Sequence, residues 1–439
     1  MSDRSPLKGL PVPRGRLSRL ARFGGMATGL AGGVLLGGAR ELASGRRPRL
    51  EDLLLTPANA LRVTRQLAQL RGAAMKMGQL LSMDSGEFLP RELTEILARL
   101  RAEADMMPRG QLQAVLDRAW GRGWQSRFRH FEWRPVAAAS IGQVHRAVLN
   151  DGRTLAVKVQ YPGVRASIDS DVDNVASLIR LSGLAPASLD FAPLLAEAKR
   201  QLHEEADYLR EAAALARFAA LLADAPGFLV PETVAELTTA DVLAMHWADG
   251  VPIESLAAAP QAERDDAAAR MIQLILRELF EFRLMQTDPN FANYRWDRAS
   301  DRLVLLDFGA TRAITAHSVD GYRRLAAAGL AGDRAAVWAA ARDIGLVADA
   351  MPADRRADIL DLSDQVMAPL RRGQPFDFAD GVLATKLRAH GMEFASDRRV
   401  WHLPPPEALF LQRKFGGIYL LATRLRARVD VRALLEPWL

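Results

Sequence analysis

A chain of 439 residues is long enough for two to three domains and a sizeable buried core. It has no cysteine, which excludes disulfides, thiolate nucleophiles and cysteine-held zinc or iron–sulfur centres. The net charge of +6 is uneven: residues 1–50 carry ten Lys/Arg against Asp3 and Glu41, so the remainder is slightly acidic and offers no basic, aromatic-studded stripe for nucleic acid. Such a basic tail suits an anionic membrane surface.

In chain order, residues 1–45 form a basic, glycine-rich segment. Its uncharged run 24–39, at about 1.5 Å per residue, is too short for a hydrocarbon core of about 30 Å and does not span. Gly25, Gly29, Gly33 and Gly37 would give a helix a smooth stripe, yet so much glycine weakens a helix in water. An interfacial helix, a flexible tail and an Arg-rich targeting peptide all fit. Residues 46–128 read as a helical module. Over 57–81, Leu70, Ala74, Met77 and Leu81 share one face, with Lys76 beside it. Further helices are expected at 90–100 and 108–119.

Residues 129–250 change to strands. A strand at 131–136 leads to an alanine-rich loop of Ala137, Ala138, Ala139, Ser140, Ile141, Gly142 and Gln143, where a phosphate cradle is expected; its single glycine restricts backbone approach to phosphate. Asn150-Asp151-Gly152 between apolar runs signals a hairpin. In its second strand Leu155, Val157 and Val159 face one way and Lys158 the other, which suits either phosphate pairing or a solvated lysine. Residues 193–222 read as one long helix in which Asp207 and Glu211, four apart, need a nearby cation or open solvent. Two more strands are expected near 230–235 and 241–247.

Residues 251–439 read as mostly helical. An amphipathic helix at 263–282 feeds the segment 286–309, which holds Asp288, Asn293 five positions later, and Asp307 in an Asp-Phe-Gly triplet after an apolar strand. Asn293 and Asp307 supply the hard oxygen ligands that Mg²⁺ prefers, and Asp288 is left to orient or deprotonate an attacking oxygen. Helices resume near 320. The last amphipathic stretch, 411–426, is read as packed, with its Lys and Arg as helix-surface charges.

Lys158, Glu211, Asp288, Asn293 and Asp307, in that order, resemble a protein-kinase-like fold. With Lys76-Met77-Gly78-Gln79, the alanine-rich loop and Glu205-Ala206-Asp207, the chain resembles more specifically the AarF/UbiB atypical kinase-like family, the coenzyme Q kinase-like proteins linked to ubiquinone biosynthesis. The match runs from about residue 58 to about 426. The resemblance implies an α+β, two-lobed protein-kinase-like fold with an N-terminal helical extension covering the active site. Lys158 would hold the α and β phosphates and pair with Glu211; Asp288 would be the catalytic aspartate; Asn293 and Asp307 would ligate Mg²⁺. Lys76 and Gln79 would act with Glu205 and Asp207 as regulatory residues over the cleft. The implied cofactors are ATP or ADP with Mg²⁺. The implied activity is ATP hydrolysis or small-molecule phosphorylation supporting ubiquinone biosynthesis at the inner face of a bacterial or mitochondrial inner membrane. Implied partners are anionic lipid, quinone-precursor-like compounds, other quinone-biosynthesis enzymes and a second copy in a dimer, with no nucleic acid. A nucleotide-gated pseudokinase scaffold and a protein serine/threonine kinase are the alternatives. Gln286-Thr287 in place of His-Arg, the 53 positions between Lys158 and Glu211, and the absence of a peptide-docking segment all argue against protein substrates.

Overall fold

The computed structural model describes residues 106–439, apart from residue 140 and segments 182–191, 349–350, 382–384 and 386–403. Lys76, Gln79, Ser140, the glycine-rich run and the helices expected at 57–81 and 90–100 therefore lie outside the described residues. The chain forms two compact units, whose described parts are 106–210 with 233–247, and 211–232 with 248–439.

The first unit opens with α1 (Arg109–Trp120), whose Leu112, Val115, Leu116 and Trp120 recur at helical spacing and are buried. A 3₁₀ turn, Trp124–Arg127, leads to β1 (Phe128–Phe131). Next come β2 (Ala137–Ala138), β3 (Gly142–Leu149) and β4 (Thr154–Gln160). The β3–β4 turn is the expected Asn-Asp-Gly, with Gly152 at φ 94°, a left-handed conformation open to glycine at little cost. Two helices, α2 (Val164–Leu181) and α3 (Ala192–Glu205), fill the long separation after β4. The expected single helix over 193–222 is in fact two. It breaks at Ala206-Asp207, where the Asp207 carboxylate accepts the Arg210 N–H at 3.1 Å and so caps α4 (Tyr208–Leu221). Helical periodicity runs across this break unchanged, and only the cap marks it.

After α4, β5 (Phe228–Leu229) belongs to the second unit, and the chain then returns to the first for β6 (Val242–His246). The first unit's sheet has the order β1-β3-β4-β6, antiparallel throughout, with β2 added along β3. One face carries Leu155, Val157, Val159, Val242 and Ala244 into a core shared with α1 and a ring of aromatics. Trp124, 1% exposed, lies at the centre of that ring, with Phe131, Trp120, Phe128 and Trp133 centroids 5.0, 5.3, 5.6 and 5.9 Å away.

The same unit holds a buried polar chain. Met107 N–H donates to Gln143 Oε1 at 2.9 Å, and Gln143 Nε2 lies 2.8 Å from His145 Nε2. His145 Nδ1 is 2.8 Å from the Glu132 carbonyl, which can only accept, so the proton sits on Nδ1 and Nε2 accepts from Gln143. Burial lowers the His145 pKa below its ordinary 6.5, against the opposing pull of the Glu132 carbonyl and carboxylate. The folded state thus binds the proton less well than the unfolded chain, so stability falls as pH drops below about 6.5 and levels only under the depressed folded value. Urea midpoints at pH 7.5 and about 5.5 should differ more in the parent than in His145→Gln; equal differences would contradict this placement of the proton.

The second unit continues with β7 (Val251–Pro252) and α5 (Gln261–Leu276), which widens into a π-helical turn, Arg277–Phe282, and stops at Arg283 with φ 50°. The amphipathic helix expected over 263–282 is therefore α-helical only to Leu276. Short strands follow: β8 (Leu284–Gln286), β9 (Tyr294–Asp297), β10 (Arg302–Leu305) and β11 (Thr311–Ala313). One sheet has the order β5-β10-β9-β7, in which β5 runs parallel to β10, and β8 pairs separately with β11. The rest is α6 (Ala316–Ala331), α7 (Arg334–Asp343), α8 (Ala353–Arg371), β12 (Phe376–Asp377), α9 (Pro406–Leu425), β13 (Arg428–Val429) and α10 (Val431–Leu435). Among the described residues no helix is long and apolar enough to cross a membrane.

Candidate functional site

In the first unit, Lys158 lies mid-strand on β4, between Val144 of β3 and Leu243 of β6. Alternation puts it on the face opposite Val157 and Val159, as expected. That face is covered as well: Lys158 is 8% exposed, and its ammonium lies 5.2 Å from the centre of the Tyr208 ring. Its neighbour Gln160 donates to the Ala206 and Ala240 carbonyls at 2.7 and 3.2 Å, tying the sheet to the α3–α4 junction. Glu205 ends α3 and Asp207 caps α4, so both stand at this junction.

The alanine-rich segment is a tight β-hairpin. Ala137 and Ala138 form β2 opposite Val144 and Gln143, both alanines exposed, and Ala139 N–H donates to the Gly142 carbonyl at 2.9 Å. Ile141 is buried, and its carbonyl accepts the Tyr161 N–H. A Cβ at Gly142 would stand 2.3 Å from the Val159 carbonyl and 3.0 Å from the Tyr208 hydroxyl, so glycine there is required by close approach to β4. Gln143 turns its amide inward to Met107 and His145, and among the described residues of the segment it is Ala137 and Ala138 that are exposed.

In the second unit, two strand pairings assemble the acidic motif. β9 and β10 pair Tyr294 with Leu305, and the ladder runs on where Leu306 N–H donates to the Asn293 carbonyl at 3.0 Å, so Asn293 and Asp307 emerge side by side. β8 and β11 pair Gln286 with Thr311, and Thr287 donates from both N–H and hydroxyl to the Ala310 carbonyl at 3.0 and 2.8 Å. Asp288, just past β8, is thereby held against the Asp-Phe-Gly turn. Asn293 Nδ2 lies 3.4 Å from Asp288 Oδ2, which leaves the amide oxygen as the donor to a cation. The turn itself is fixed by Gly309 N–H on Asp307 Oδ1 at 3.0 Å and by Phe308, fully buried 4.5 Å from the Phe218 ring. Asp288, Asn293 and Asp307 are all half-buried. Glu211, 1% exposed, lies on α4, which also supplies Phe218.

The Asp307 carboxylate and the Asn293 amide oxygen are a hard donor pair suited to Mg²⁺ carried with phosphate and water, and unsuited to zinc. Among the described residues no group of three or more His, Cys, Asp or Glu is placed to hold a metal without such help.

The sequence reading missed what lies behind this motif. Lys414 of α9, expected on the helix surface, is 1% exposed, and Arg413 is 6% exposed. Lys414 Nζ lies 3.2 Å from Glu278 Oε2, 2.9 Å from the Tyr294 hydroxyl and 3.2 Å from Gln286 Oε1. Burial alone would lower its pKa; the Glu278 carboxylate and the Tyr294 oxygen outweigh that and hold it above the ordinary lysine value, so the ammonium is kept. A signal existed: Lys414 falls in the 411–418–421–425 stripe of buried Leu411, Ile418, Leu421 and Leu425. A cavity of about 10 Å³ is lined by Glu278, Gln286, Tyr294 and Lys414 together with Asn293 and Asp307.

Residues 99–341 match the model of the ABC1 atypical kinase-like domain. The chain is 39% identical to atypical kinase COQ8B, mitochondrial, of Rattus norvegicus, over 99% of this chain and 82% of the relative. The chain belongs to the ABC1 atypical kinase-like family. It is also 36% identical to atypical kinase COQ8, mitochondrial, of Saccharomyces cerevisiae, over 98% of this chain and 86% of that protein. Among solved structures, the Rv3197–erythromycin complex of Mycobacterium tuberculosis aligns with a TM-score of 0.63 at 25% identity, covering 87% of this chain and 95% of that one. The kinase-like α+β fold expected from the motifs is thus the fold of this ABC1 member.

Proposed function

We propose that this ABC1 member is an atypical kinase-type ATPase or small-molecule kinase that binds MgATP and ADP and supports ubiquinone biosynthesis at a membrane surface. The observation that carries it is the assembly of Asp288, Asn293 and Asp307 by two strand pairings, with the Asp-Phe-Gly turn fixed by the Gly309 N–H on Asp307 Oδ1. A bound Mg²⁺ supplies neutralisation of phosphate charge. Asn293 and Asp307 hold it. Asp288 orients the attacking oxygen and takes its proton as the bond to the γ-phosphorus forms and the bond to the ADP oxygen breaks. Lys158 is assigned to the α and β phosphates, and Glu211 to the carboxylate role the family gives it. The exposed alanine face of the β2–β3 hairpin takes the nucleotide's phosphate side, with less backbone access than a glycine-rich loop gives.

Lys76 and Gln79, with Glu205 and Asp207, are proposed to cover the site and keep protein substrates out. The active form is peripheral to a membrane, drawn by the basic tail to anionic lipid, where quinone-precursor-like compounds and other quinone-biosynthesis enzymes are met. That surface is the inner membrane of a bacterium or a mitochondrial membrane, and the mitochondrial names of the rat and yeast relatives support the mitochondrial alternative.

Quinone levels in a host lacking the gene, complemented with the parent or with Asp307→Asn, test this reading. Rescue by the parent alone is expected. Equal rescue by both would assign the chain to a nucleotide-gated scaffold, and phosphorylation of a generic protein mixture in trans would assign it to the protein kinases.

A further inference from the structure

The residues 286–294 form a loop that begins at Gln286, carries Asp288 and Asn293, and ends at Tyr294. Both of its ends bond to one atom. Lys414 Nζ meets the Gln286 side-chain oxygen at 3.2 Å and the Tyr294 hydroxyl at 2.9 Å, reaching across 128 and 120 positions of sequence. The third contact of the ammonium is Glu278, whose other oxygen accepts the Gln286 backbone N–H at 3.2 Å. Glu278 stands in the π-helical turn after α5, an irregularity often kept where a helix serves a site. The middle of the loop is gripped separately by the same helix α9: a Cβ on Gly417 would stand 2.2 Å from Pro289 Cβ, one residue past Asp288.

We propose that α9 is the clamp of the catalytic loop, with Lys414 as a positioning residue that sets the separation of Asp288 and Asn293 from outside the site, and Gly417 as the contact that seats Pro289. This rests on the reading of the loop given above and deepens it. A buried ion pair is an indifferent source of stability, since apolar residues of similar volume often replace one at no loss. What the apolar pair cannot replace is a single ammonium that fixes both ends of a loop. Lys414 bonds to Gln286, Tyr294 and Glu278 and not to Asp288, Asn293 or Asp307, so its loss falls on the geometry of the reacting atoms and not on nucleotide affinity.

Three variants separate clamp from stability: Tyr294→Phe removes one hydroxyl, Lys414→Met with Glu278→Leu replaces the pair by apolar volume, and Gly417→Ala presses on Pro289 without touching the pair. Steady-state ATP hydrolysis over ATP and Mg²⁺ concentrations is read beside thermal melting. The expected result is a lower kcat in all three, by several-fold in Tyr294→Phe and about 10–100-fold in the double variant, at parental KM for ATP. Lys414→Arg, added as a conservative control, should recover part of the loss because its guanidinium keeps the charge and two donors. Parental kcat in Tyr294→Phe and Gly417→Ala would overturn the clamp, whether or not the double variant folds. A parent without Mg²⁺-dependent turnover would overturn the ATPase reading itself, a result distinguishable from an active parent with indifferent variants.

Discussion

Asp288→Asn should lower turnover about a thousandfold while the affinity for MgADP stays close to that of the parent. A general base contributes about 10²–10⁴-fold, and the amide can neither take the proton nor carry the charge. It can still accept the Asn293 Nδ2–H now 3.4 Å away, so the loop keeps its shape. Asn293→Ala should do the reverse, weakening the Mg²⁺ dependence of nucleotide binding, because Asn293 is assigned to the metal and Asp288 is not. Turnover by single-mixing kinetics and affinity by calorimetry, taken on the same preparations, check the split. An Asp288→Asn protein that turns over at the parental rate would remove Asp288 from the mechanism.

The largest stability effect expected is at Trp124. It touches four aromatic rings, is 1% exposed, and donates its indole N–H to Asp117 Oδ1 at 3.1 Å. Trp124→Ala removes that volume from the centre of the first unit's core and leaves a cavity, at a cost of about 3–5 kcal/mol. With two compact units the unfolding curve need not be two-state, so the transition is followed by far-ultraviolet circular dichroism and read as a shift of the first unit's midpoint. A cost under about 1 kcal/mol, the level of an ordinary surface change, would mean that the aromatic ring is not the core it looks to be.

The acidic motif was legible because its chemistry and its local structure are written in one short stretch. Asp288, Asn293 and Asp307 lie within 20 positions, and strand alternation alone sends Lys158 away from Val157 and Val159. The Asn150-Asp151-Gly152 hairpin was legible for the same reason. Features that depend on a distant partner were not. The apolar stripe through Lys414 signals its burial, but nothing near it reveals that its counter-ion is Glu278 or that Gln286 and Tyr294 complete its shell. The π-turn at Arg277–Phe282 hid likewise behind a sequence that continues an amphipathic helix. At Ala206-Asp207 the apolar period runs straight through, and only the cap made by Asp207 separates α3 from α4.

The central claim, that Asp288, Asn293 and Asp307 assemble a Mg²⁺-dependent phosphoryl-transfer site used at a membrane surface, is tested most directly by ATP hydrolysis of purified parent and Asp307→Asn across a Mg²⁺ titration, with and without anionic liposomes. Replacing a residue that merely orients a metal ligand costs about 10–100-fold, so loss of the ligand itself should exceed a hundredfold. The expected result is Mg²⁺-dependent, liposome-stimulated turnover in the parent and none above background in Asp307→Asn, with metal-free nucleotide binding kept in both. Equal turnover in parent and variant would contradict the account.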